Sequence, residues 1–173
     1  MIEQTLLMRL MERNIPIELL SIFENWFNLS DTCVRWEGLN SRFFKLRAGV
    51  RQGGVLSPFF FAVFIDKIVE KIIHANAGSY NAFVCVSIFI YADDILLLSP
   101  SVTGLQTLLT ACESELFNLD MRLNVKKSVC MRFGPRFNAP CASIVSSNGP
   151  LKWVTSCRYL GVYIYRTAQY STQ

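Results

Sequence analysis

The sequence predicts an α+β domain in which helices and short strands follow one another in blocks. Three observations carry that expectation. Apolar residues recur at helical spacing in four segments, the first through Leu6, Leu7, Leu10 and Met11. Between the third and fourth lies a β-prone apolar run, Ile88 to Leu98, interrupted only by the adjacent Asp93 and Asp94. Beyond Val129 the chain alternates short β-prone pieces with Pro, Gly, Asn and Ser, the residues of turns.

Each element follows from local chemistry. The first helix ends near Asn14, because Pro16 cannot continue it. Pro16 then opens a second helix with Leu19, Leu20, Phe23, Trp26 and Phe27 on one side. Thr32 to Trp36 and Arg42 to Leu46 are expected to form a hairpin turning at Gly38-Leu39-Asn40. A glycine-rich loop, Ala48 to Leu56, leads to Ser57-Pro58, an N-cap and first-turn proline. The helix that follows carries Phe61, Phe64, Ile65, Ile68 and Ile72 on one face and stops around Asn76-Ala77-Gly78. Phe59-Phe60-Phe61 reads as core. Phe83 to Tyr91 and Ile95 to Ser99 read as two strands of a buried sheet. Leu105, Leu108, Leu109, Cys112 and Leu116 mark the last helix. Strands are expected at Val129–Phe133, Ser143–Val145, Trp153–Val154 and Tyr159–Tyr165, with loops at Pro135–Pro140 and Ser146–Pro150. Ala168 to Gln173 reads as a frayed end.

Composition narrows the function. The 173 residues suit one domain, or most of one, and 51% hydrophobic content is enough for a sizeable core. A net charge of +4 permits nucleic-acid binding without arguing for it. The six cysteines include no CxxC pair, which speaks against zinc and for reduced thiols in an intracellular compartment. No signal peptide is visible. The most apolar run, Phe83 to Leu98, is short and holds two aspartates, so no membrane span is expected.

The residues that carry chemistry centre on Asp93-Asp94. Two carboxylates about 4 Å apart repel by roughly 4 kcal/mol at an effective dielectric of about 20. Water or a divalent cation must hold them. Alone, the pair would also suit a solvated hairpin turn. As a metal site, it places hard oxygen ligands at the end of a sheet, where phosphoryl transfer needs them. Gly53-Gly54 is either a plain loop or a place where backbone closely approaches a substrate, with Arg51 and Gln52 offering a cation and an amide. Lys127, after Lys126, is either solvated charge or a cation near a phosphate. His74, the only histidine, reads as a favourable charge late in a helix.

The order of these pieces resembles the reverse transcriptases of non-LTR (LINE-type) retrotransposons. Gly49 to Pro58 (Gly-Val-Arg-Gln-Gly-Gly-Val-Leu-Ser-Pro) looks like their motif B. Tyr91-Ala92-Asp93-Asp94 looks like motif C, Leu123 to Ser128 like motif D, and Arg158 to Val162 like motif E, the primer-grip region. The resemblance covers nearly the whole chain. It implies a partial polymerase palm spanning about 1–165, a small antiparallel sheet backed by helices, with fingers and most of the thumb outside it. It implies two Mg²⁺ ions, Asp93 and Asp94 as metal ligands, and Lys127 near the pyrophosphate leaving group. It further implies nucleotide and template contacts from Arg51, Gln52, Gly53, Gly54 and Tyr91, and a primer grip at Tyr159, Leu160 and Gly161. Substrate and partners would be a dNTP, a DNA primer and an RNA template, with no membrane.

One carboxylate of the family pattern has no counterpart. Motif A precedes the helix expected at Thr5 to Arg13, so its Asp would fall just before Met1. Asp31 is the only Asp ahead of Gln52, and it sits before the expected hairpin; Glu3 lacks an aromatic-strand setting. The expectation is a truncated fragment, inactive as an isolated chain, whose partner would be the N-terminal part of the polymerase. A non-catalytic nucleic-acid-binding remnant is the alternative. A structural protein in which the Asp pair only turns the chain is a third.

Overall fold

The computed structural model describes residues 2–45, 53–134 and 140–166. The class is α+β, with four helices among those residues: α1 (Ile2–Glu12), α2 (Ile17–Asn28), α3 (Ser57–His74) and α4 (Val102–Asn118). Two compact units divide the chain, 1–67 and 68–173, with the division inside α3.

In the first unit Pro16 occupies the N-cap position of α2, its fixed φ of −54° setting up the first turn. Leu6 and Leu10 of α1 and Leu20 of α2 are buried, as are Phe60, Val63, Phe64 and Ile65 of α3. Phe60 is the aromatic centre. Its ring lies 5.1 Å from Phe23 and 5.6 Å from Phe27, both edge-to-face, the geometry that ring quadrupoles prefer. Of Phe59-Phe60-Phe61 only Phe60 is fully core, because a helix turns 100° per residue and Phe59 faces outward. Ion pairs Arg13–Asp66 and Lys67–Glu12 (3.5 Å) tie the end of α1 to α3.

The expected hairpin is present but nested. Its outer rungs are β1 (Asp31–Thr32) and β4 (Phe44–Lys45), its inner rungs β2 (Arg35–Trp36) and β3 (Leu39–Asn40). The turn is Glu37-Gly38, not Gly38-Leu39-Asn40. Both turn residues have positive φ, +47° and +80°, which matches the twist of the ribbon. Leu46 and the loop 46–52, with Arg51 and Gln52, lie outside the described residues.

In the second unit, Ile68 and Ile72 of α3 are buried. The helix ends at His74, ahead of the expected stop, and Asn76 takes the left-handed conformation (φ +47°). The run Phe83 to Tyr91 is not one strand. A small hairpin, β5 (Tyr80–Asn81) and β6 (Val84–Cys85), turns at Ala82-Phe83, and Phe83 is its fully exposed tip. Only Ile88–Tyr91 forms β7, paired antiparallel with β8 (Asp94–Leu97). Nor is that ribbon buried on both faces: Phe89 and Tyr91 are exposed, and among the described residues no third strand pairs with it.

After α4 the chain forms β9 (Val129–Cys130), β10 (Ile144–Ser146), β11 (Gly149–Trp153), β12 (Ser156–Tyr159) and β13 (Val162–Tyr165). The span Ser146–Pro150 is a tight turn between β10 and β11 rather than a loop. Tyr159–Tyr165 is two strands reversing at Leu160-Gly161. The sheets are antiparallel except that β11 pairs parallel with β9. Leu109, Cys130, Ile144 and Leu151 form the core here, with Leu97, Leu105, Leu123, Val125 and Trp153 against them. All six cysteines are free. Among the described residues no helix is long and apolar enough to cross a membrane.

Candidate functional site

The register of β7 and β8 places the aspartates. Ile88 faces Leu97, Phe89 faces Leu96, Ile90 faces Ile95, and Tyr91 faces Asp94. The turn is therefore Ala92-Asp93, with Asp94 as the first residue of β8. Cross-strand partners share a face, so Tyr91 and Asp94 stand together on the exposed side. Ala92 holds φ at +50°, a left-handed conformation costing an L residue about 1–2 kcal/mol. Such strain persists only where surrounding structure enforces it.

The base of the ribbon is tied down by hydrogen bonds and close packing. Leu98 N–H donates to Ser87 O at 2.7 Å, extending the ladder one step beyond β8. Ser87 is 1% exposed and donates through Oγ to Ser79 O at 3.1 Å. Ser99 Oγ donates to Ala77 O at 2.8 Å. Two glycines permit this packing. A Cβ on Gly78 would lie 1.8 Å from Ser87 Oγ, and one on Gly104 would lie 2.3 Å from Ser99 Oγ and 2.5 Å from Ala77 O. Ser101 caps α4 by accepting Gly104 N–H at 3.0 Å, which fixes the helix start beside the same strand end. Leu97 enters the core beneath α4. The aspartates thus stand at the free end of a ribbon rooted at its base.

Lys127 ends a single turn organised by Asn124. Asn124 O accepts from Lys127 N–H (3.1 Å) and Ser128 N–H (2.9 Å), and its Oδ1 accepts from Lys126 N–H (3.1 Å) and Lys127 N–H (3.3 Å). Both lysines are exposed. Leu160-Gly161 forms the β12–β13 turn with φ of +47° and +83°. Half-buried Tyr159 precedes it, directly opposite Val162. Gly53, also with positive φ (+79°), has open space where a Cβ would stand. His74 Nδ1 lies 2.6 Å from Glu70 O within its own helix. The structure brings Tyr91, Asp93 and Asp94 together in one ribbon; Lys127 and Tyr159-Leu160-Gly161 sit on separate segments of the same unit.

As donors, Asp93 and Asp94 match a hard divalent cation in kind. They fall short in number: among the described residues no group of three His, Cys, Asp or Glu side chains could hold a metal.

Two features escaped sequence reading. The rooting residues Gly78, Ser87, Ser99 and Gly104 are small and unremarkable in sequence; only Gly104, inside a helical pattern, hints at close packing. The second was legible but averaged away by the net charge. Eight of the 17 basic residues lie beyond Asp120, from Arg122 to Arg166, and none of the 13 acidic residues does.

Residues 4–164 match the family described as reverse transcriptase (RNA-dependent DNA polymerase). The chain belongs to the reverse transcriptase family. Its similar proteins include the RNA-directed DNA polymerase from mobile element jockey of Drosophila melanogaster, 24% identical across 92% of this chain and 18% of that protein. The Pol polyprotein from type-2 retrotransposable element R2DM of the same organism is 28% identical across 89% of this chain and 15% of that protein. That from type-1 element R2 of Nasonia vitripennis is 25% identical across 72% and 12%. These relatives are the non-LTR retrotransposon reverse transcriptases of the family. The chain spans less than a fifth of the length of each.

Proposed function

We propose that this chain is palm-forming sequence of an RNA-directed DNA polymerase, with Asp93 and Asp94 supplying two of its metal ligands. The observation that carries the reading is the Tyr91-Ala92-Asp93-Asp94 hairpin, rooted at its base and strained at its tip, within a reverse transcriptase match. Asp93 and Asp94, with further ligands, would hold Mg²⁺, which would supply electrostatic stabilisation for nucleotidyl transfer from a dNTP to a primer 3′-hydroxyl. The chain's own part is positional. Asp93 and Asp94 offer carboxylate oxygens at the ribbon's end. Lys127 offers a cation to the departing pyrophosphate. Arg51, Gln52, Gly53 and Gly54 approach template and nucleotide, and Tyr159, Leu160 and Gly161 hold the primer end. The open side of the β7–β8 ribbon suits a further strand, the one that carries motif A and the remaining carboxylate in the family.

These 173 residues alone are expected to bind a divalent cation weakly and not to extend a primer, since two carboxylates cannot complete the clamp. Titration with Mn²⁺ should broaden the NMR resonances of Tyr91 to Ile95 selectively, and Asp93→Asn with Asp94→Asn should abolish it. Uniform broadening, or none, would sink the metal assignment. Processive extension of a primer by the purified chain, lost on Asp93→Asn, would overturn the expectation of inactivity. The basic stretch beyond Asp120 favours a second reading, a nucleic-acid-binding element without catalysis, in which binding survives both Asp substitutions.

A further inference from the structure

The outer face of the last hairpin combines three properties of a single-strand binding surface. Cross-strand pairing sets Arg158 opposite Tyr163 and Ser156 opposite Tyr165, so these four residues share one face. Cys157, Tyr159, Val162 and Ile164 occupy the other, which keeps Tyr159 off this surface. Tyr163 and Tyr165 stand side by side, ring centroids 6.3 Å apart and planes within 24°, and each remains 62% exposed.

Two large, nearly parallel rings left open to water offer aromatic faces to a ligand. Arg158 is exposed on the same face, Lys152 is exposed on β11, and no Asp or Glu occurs in the sequence from residue 121 onward. Aromatic faces for bases with cations for phosphates are the combination that holds unpaired nucleic acid without reading its sequence.

We propose that Tyr163 and Tyr165 form a base-stacking platform for an unpaired nucleic-acid strand, with Arg158 engaging its backbone. The platform lies on the face of the hairpin opposite Tyr159 and adds a binding site to the proposed palm. It rests on that reading only in taking nucleic acid as the cargo.

The test uses the full chain in EDTA, which removes any contribution from a metal at Asp93 and Asp94. The probes are single-stranded RNA and DNA of about 12 nucleotides carrying one 2-aminopurine, whose emission falls on stacking, and an abasic strand of equal length. The expected result is quenching by the natural chain and at least roughly tenfold weaker binding of the abasic strand. Tyr163→Thr with Tyr165→Thr, which keeps strand propensity, should cost about tenfold or more and abolish quenching, whereas Tyr163→Phe with Tyr165→Phe should preserve both. Equal affinity for the abasic strand, absence of binding, or unchanged quenching by the threonine pair would each overturn the platform. RNA and DNA arms show which strand it prefers. Failure here with intact Mn²⁺ broadening removes the platform alone; stacking here without that broadening removes the metal reading alone.

Discussion

At the scale of single residues, the decisive positions around the aspartates are those with nothing to offer chemically. Gly78 exists to leave room: an added Cβ would sit 1.8 Å from Ser87 Oγ and 2.3 Å from Ser87 Cβ. Ser87 is itself buried and hydrogen-bonded, so it cannot swing away without losing its bond to Ser79 O. Gly78→Ala is therefore expected to destabilise the chain by about 1–3 kcal/mol, the range for overpacking. Combining it with Ser87→Gly should recover part of that loss, because the second change removes the clashing atoms. Denaturant melts of the four proteins in the cycle measure this. Strict additivity of the two changes would show that the contact is not what the glycine accommodates. Ala92 tells the same story from the other side, as a non-glycine residue held at φ +50° where the aspartates turn.

At the scale of elements, α4 is the support on which the second unit is assembled. Its inner face buries Leu108, Leu109, Cys112, Glu115 and Leu116. Glu115, only 3% exposed, meets Lys71 Nζ of α3 at 2.9 Å. Gln106 uses both ends of its amide on β10, donating to Val145 O and accepting Val145 N–H, each at 2.8 Å. Burial in this face, and secondarily the nearby Glu113 charge, pushes the Cys112 thiol up to about 11 from 9.0. The thiol is raised in the folded state, so its neutral form contributes stability that is complete below pH 9 and lost as pH climbs towards 11. Unfolding midpoints of the natural chain should fall across that window more steeply than those of Cys112→Ala; parallel profiles would contradict it. Helical elements of this kind were readable from sequence, because Leu105, Leu108, Leu109, Cys112 and Leu116 repeat at helical spacing. The bounds of the strands were not. Phe83 to Tyr91 is apolar apart from Ser87, and no periodicity marks the place where Ala82 and Phe83 turn with φ of +44° and +70°. The ladder partner that Gln106 gives β10 lies 39 residues away, beyond any local pattern. Within the candidate site, sequence placed the Asp pair between two strands, and the structure puts Asp93 in the turn and Asp94 at the start of β8. Sequence could not reveal the packing at Ala77, Gly78 and Ser87 that roots them.

At the scale of the whole chain, charge is divided along the sequence rather than mixed. Beyond Asp120 the sequence holds no Asp or Glu, whereas several earlier cations sit in ion pairs: Arg13 with Asp66, Lys67 with Glu12, and Lys71 with Glu115. A phosphate backbone competes poorly for a cation already paired, and well for one held out in water. Exposed Lys126 and Lys127, presented by the Asn124 turn, are of the second kind. Each phosphate neutralised on a single strand contributes about 0.7 to the slope of log affinity against log salt. Lys126→Gln with Lys127→Gln is therefore expected to reduce that slope by about 1.4 if both touch the strand, and to leave the melting temperature nearly unchanged, since neither side chain packs in the core. Arg13→Gln should do the reverse, lowering stability while leaving the salt slope alone. A slope set by Arg13 and indifferent to both lysines would place nucleic acid on the first unit and remove the basis for reading the last third of the chain as its binding surface.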